Sequence, residues 1–97
     1  MPLLLPYPYI ICLHLTQPPQ TYGPLVAELE RSFKWWHYVP SVWIVLHYDS
    51  LIELANRLRP LIRQPDRLLI LPAKGPADGW LPADAWHWIS ENLPRQW

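Results

Sequence analysis

Trp35-Trp36-His37-Tyr38-Val39-Pro40-Ser41-Val42-Trp43-Ile44-Val45-Leu46-His47-Tyr48 is the stretch that decides the fold. Aromatic and β-branched residues fill both halves, and such side chains suit the pleated, half-buried surface of a strand. Pro40-Ser41 between them reads as a turn, so the stretch predicts a hairpin with strands over 35–39 and 42–48. The second strand puts Val42, Ile44, Leu46 and Tyr48 on one side and Trp43, Val45 and His47 on the other. Neither side is plainly polar, so a sheet built on this strand needs cover on both faces.

Upstream, Tyr9 to Leu15 is a short apolar run rich in β-formers, and 16–22 is loop-like. Pro24 suits a first helical position, and Leu25, Val26, Leu29 and Phe33 follow at helical spacing, with Glu28, Glu30, Arg31 and Lys34 on the other side. Downstream, Ser50 followed three residues later by Glu53 is a capping box, opening a helix with Leu51, Leu54, Ala55 and Leu58 as its apolar stripe. Pro60 ends that helix near Arg59. Residues 66–71 return to strand character, and 82–93 read as a final helix with Trp86, Ile89 and Leu93 on one face.

The predicted order is β, α, β, β, α, β and an extra tryptophan-rich helix. That is an α+β fold of the ferredoxin-like kind, with a four-stranded antiparallel sheet in order 4-1-3-2 and both crossover helices on one face. The other face is covered either by the C-terminal helix folding back or by a second copy of the chain. Charged residues make up only 16% of the chain against roughly 25% in ordinary soluble domains, which favours the homodimer.

A length of 97 residues allows one core, so residues 9–97 are read as a single domain behind a Pro-rich arm over 1–8. Lys and Arg balance Asp and Glu at eight each, leaving no global field to attract nucleic acid. No acidic or basic residue precedes Glu28, yet Pro2, Pro6 and Pro8 interrupt the start and His14 ends the apolar run, so neither a signal peptide nor a membrane span is expected. The lone Cys12 excludes a disulfide framework and fits a reducing cytoplasm. Seven tryptophans are packing or contact residues first, and Trp43, Trp80, Trp86 and Trp88 are the expected interface set.

Tyr9 to Leu15, Pro18, Tyr22, Trp35-Trp36-His37 with Ser41 and Trp43, Asp49 before a helix, Asp66-Arg67-Leu68-Leu69, and Gly79-Trp80 with Trp86 follow one another in a telling order. The chain resembles the SinR-like family of small proteins, related to the small subunit of the CRISPR spacer-acquisition machinery, over roughly 9–93. The resemblance implies a ferredoxin-like fold, a dimer and a setting in defence. Some relatives are metal-dependent nucleases or toxin-like ribonucleases, with an aspartate near the end of the first strand. The matching position here is His14, and imidazole is a poor ligand for a hard cation such as Mg²⁺, so the resemblance implies that the nuclease site is lost.

Two sets of residues carry the remaining chemistry. Strands one and three are read as adjacent and parallel, so His14 and His47 share a face near their carboxyl ends with Asp49 two residues beyond His47, a set able to hold Zn²⁺ or Mn²⁺ or to move protons. Asp49 also precedes the Ser50 cap, where a negative charge favours the helix start. Arg57, Arg59, Arg63 and Arg67 gather around the end of the second helix, a solvated face or a grip for phosphates. The preferred reading is a non-catalytic homodimeric adaptor with no cofactor, open to a nucleic acid or protein partner. The alternative is a metal-dependent endonuclease or toxin-like ribonuclease, which alone requires a divalent ion.

Overall fold

The structure, a computed structural model, describes residues 5–93. Strands β1 (Tyr7–His14), β2 (Lys34–Val39), β3 (Val42–His47) and β4 (Arg67–Pro72) alternate with helices α1 (Gly23–Glu30) and α2 (Leu51–Leu58), and α3 (Ala83–Asn92) follows β4. The strands form a four-stranded antiparallel sheet in the order β2-β3-β1-β4, the expected order seen from its other edge. Tyr7 and Pro8 already belong to β1, so the strand starts inside the stretch read as an arm, and residues 1–4 lie outside the described residues. Trp97 does too.

The period of two along each strand divides the sheet into unlike faces. Tyr9, Ile11 and Leu13 of β1 and Trp43 and Val45 of β3 point to one face, where Leu25 and Leu29 of α1 and Leu54 and Leu58 of α2 complete the main core. Each such side chain contributes about 1.5–3 kcal/mol by leaving water, so this face dominates folding. Trp43 therefore lies inside the molecule rather than at an interface, with its indole stacked on His37 at 3.9 Å and tilted against Trp35.

On the second face, Trp36, Ile44 and Ala85 form a smaller core, joined by Ile10, Val42, Leu81, Trp88 and Ile89. α3 thus folds back over the β2–β3 half of the sheet. The Trp36 Nε1–H donates to the Ala85 carbonyl at 3.2 Å, so one side chain both fills the space and satisfies its own donor. Over β4 the same face stays open, with Leu69 53% and Leu71 43% exposed.

Two local features shape the ends of these elements. Phe33 was expected on the α1 stripe, but α1 stops at Glu30 and the chain turns through Arg31 and Ser32 into β2. Phe33 then donates its N–H to the Leu46 carbonyl and packs edge-on against Tyr48 at the surface. At the start of α2 the capping box forms in full: Glu53 N–H donates to Ser50 Oγ at 3.3 Å, and Ser50 N–H donates to Glu53 Oε1 at 2.9 Å. Ser50→Ala is expected to cost about 1 kcal/mol in a urea unfolding series, with Ser50→Asp retaining most of it.

Candidate functional site

The carboxyl end of β3 gathers a polar cluster on the side covered by α1 and α2. Asp49 N–H donates to His47 Nδ1 at 3.1 Å, which makes that nitrogen an acceptor and leaves Nε2 to carry the proton of the neutral ring. Asp49 Oδ2 lies 3.7 Å from the same nitrogen and takes a hydrogen bond from Arg57 Nε. The Tyr9 hydroxyl donates to the Asp49 carbonyl at 2.8 Å. The hydrogen bond and charge of Asp49 hold the Arg57 guanidinium above its ordinary value. Burial, aided by Tyr7, Asp49 and Glu53, raises the Tyr9 phenol, which stays a neutral donor. Every member is engaged in positioning the β3–α2 junction, and the hydroxyl of the set, that of Tyr9, is committed to the Asp49 carbonyl.

His14 does not join it. β1 and β3 pair antiparallel, with Tyr7 opposite His47, while His14 at the far end of β1 lies opposite Arg67 of β4. Seven residues of strand separate Tyr7 from His14, about 23 Å at ~3.3 Å per residue, and the two imidazoles also lie on opposite faces of the sheet. The expectation of a parallel pair with shared carboxyl ends is therefore corrected: His14, His47 and Asp49 form no common site. Among the described residues no group of three or more His, Cys, Asp or Glu could hold a metal ion.

The four arginines are also dispersed. Arg57 pairs with Asp49, on the side of α2 turned from β4. Arg59 Nη1 donates to Asn56 Oδ1 at 2.7 Å. Arg63 follows the turn after α2 and donates its backbone N–H to Asp66 Oδ2. Arg67 lies beside His14 on the second face of the sheet, across from α1 and α2. They make no single phosphate-gripping patch. Of the interface tryptophans, Trp86 and Trp88 are half-buried on α3, while Trp80 is 99% exposed in the loop after β4.

No family model, curated protein or solved structure matches the chain. Any functional reading therefore rests on its own surfaces.

The surface that composition and motif spacing did not single out is the β4 side. Leu69 and Leu71 are exposed on the half-face beside Cys12 of β1, next to a shallow depression of about 550 Å³ bordered by Cys12, His14, Ser41, Val42 and Arg67. On the opposite face a second depression separates α2 from β4. The signal was present in Leu68-Leu69-Ile70-Leu71, a run with apolar side chains on both faces, but one that by itself does not show which face lacks a cover.

No helix among the described residues is long and apolar enough to cross a membrane.

Proposed function

We propose that this chain is a small non-catalytic binding protein of the ferredoxin-like kind, homodimeric and cytoplasmic, close in character to the SinR-like relatives of CRISPR-adaptation small subunits. The observation that carries this reading is the apolar strip of Leu69 and Leu71, exposed beside the half-buried Cys12 where α3 does not reach. A two-fold axis through such a patch buries it against itself, the arrangement of an isologous dimer. Arg67 and His14 rim the patch, so a dimer brings two such pairs to one surface and gives a nucleic acid a place to bind in a defence setting. The nuclease alternative has no assembled donor set to support it, because antiparallel pairing separates His14 from His47 and Asp49.

Sedimentation velocity is expected to give the mass of two chains for the parent protein. Leu69→Glu with Leu71→Glu should shift it to one chain without changing the far-ultraviolet circular dichroism. A parent that sediments as one chain at every concentration up to the millimolar range refutes the dimer.

A further inference from the structure

Among the described residues β4 is an edge strand, paired with β1 alone. Antiparallel pairing turns the backbone groups of every second residue toward the neighbour and those of the residues between them outward. The Ala73 N–H to Pro8 carbonyl bond of 2.9 Å fixes the phase: Leu69, Leu71 and Ala73 bond inward, and Leu68, Ile70 and Pro72 face outward. The edge therefore presents the N–H groups of Leu68 and Ile70 and the carbonyls of Leu68, Ile70 and Pro72. Pro72 has no N–H to leave unpaired, which suits its place on an edge.

A groove runs beside these groups. Between α2 and β4 lies a depression of about 360 Å³ lined by Leu51, Ala55, Arg59, Ile62, Leu68 and Ile70. A second depression, about 370 Å³, continues on the far side of Leu51 toward Tyr7, Pro72 and Lys74. Leu51 borders both. Ile52, 70% exposed, stands on the same side of α2 as Ala55 and Arg59 and extends the apolar wall outward.

Charge identifies the occupant. Arg59 marks one end of the groove and Lys74 the other, and no Asp or Glu lines either depression. Arg59 donates to the neutral amide of Asn56, and neither cation forms an ion pair among the described residues. The acids of this region are engaged elsewhere: Asp49 with Arg57, Glu53 in the cap of α2, and Asp66 with Thr16 and Tyr22. Antiparallel pairing of β4 with a second copy brings the copy's Asp66 opposite Lys74, but Thr16 and Tyr22 already hold that carboxylate, so a second copy supplies no free acid there.

We infer that the groove between α2 and β4 takes an extended acidic peptide as a fifth strand. Its backbone bonds to Leu68, Ile70 and Pro72, alternate apolar side chains enter the two depressions, and carboxylates meet Arg59 and Lys74. This inference rests on the binding-protein reading and names the class of partner; a dimer through Leu69 and Leu71 leaves these backbone groups free.

The probe is a fluorescein-labelled eight-residue peptide alternating Glu and Val, titrated by anisotropy against the full chain. Binding should saturate, weaken with added NaCl, and fall about tenfold or more for the Lys–Val peptide and for the Arg59→Glu, Lys74→Glu variant. Both substituted residues are exposed, and unchanged circular dichroism confirms that the variant folds. In amide hydrogen exchange, Leu68 and Ile70 should gain protection from the peptide while Leu69 and Leu71, already bonded inward, should not. Equal binding of acidic and basic peptides, no binding, or protection confined to another element overturns the inference. So does a dimer whose Leu68 and Ile70 amides are protected without peptide, which gives the edge to a second copy. If the peptide fails while the Leu69–Leu71 dimer stands, only strand addition is lost; if both fail, the binding-protein reading is lost with it.

Discussion

Trp36→Ala is expected to lower unfolding stability by about 3–5 kcal/mol and to free α3 from the sheet. Trp36 is only 3% exposed and forms the centre of the second core with Ile44 and Ala85, so truncation leaves a cavity under the helix. The variant also removes the N–H that the Ala85 carbonyl accepts. Trp36→Phe separates the two effects, since it keeps most of the packing and loses a hydrogen bond of about 1 kcal/mol. Urea unfolding followed by circular dichroism gives the stabilities, and amide exchange along 83–92 reports the docking of α3. A Trp36→Ala protein whose α3 amides stay as protected as the parent's would show that the helix holds to this face by other means.

Tyr22→Phe is expected to cost about 1–3 kcal/mol, because it cuts a latch between two loops that are distant in sequence. The buried Tyr22 hydroxyl donates to the Asp66 carboxylate at 2.9 Å and accepts the Gln17 N–H at 3.0 Å. Thr16 adds its own N–H and hydroxyl to Asp66 Oδ1, and Arg63 N–H reaches Oδ2. The loop after β1 is thereby fixed to the loop before β4. Burial pushes the Asp66 carboxyl upward, but the hydrogen bonds from Thr16, Arg63 and Tyr22 outweigh it and hold the group down at about 2, below its ordinary 3.8.

A carboxyl depressed in the folded state stabilises fully above its unfolded value, and that contribution is lost as pH falls through the folded one. The acid dependence of stability between 3.8 and about 2 should accordingly flatten in Asp66→Asn. Urea midpoints measured across that window for the parent and the variant test it. Parallel slopes would show that Asp66 binds its proton alike in both states.

Elements whose local chemistry agrees with their packing were legible from the residues. The Pro40-Ser41 turn, the Ser50–Glu53 box and the stop at Pro60 each act within a few residues, so their spacing alone locates them. The strand order was legible too, because the succession β, α, β, β, α, β has a short list of right-handed, uncrossed arrangements. The direction of β1 against β3 was misread, and that single error moved His14 beside His47. Trp43 shows a different limit: a strand residue in a sheet covered on both sides looks the same whether its cover is α2, α3 or a partner. The candidate groove was illegible for a related reason. Leu51 and Arg59 come from α2 and its end, Ile70 and Lys74 from β4 and its end, and no pattern within one segment records that they meet.

The register of β2 slips between Trp36 and Val39, whereas β4 is regular along its length. A slipped border offers a newcomer mismatched bonding groups, so the sheet has one receptive side and one closed side. Any lengthening of the sheet by strand capture is then confined to the β4 side. That one-sidedness comes from the placement of one extra residue in the hairpin.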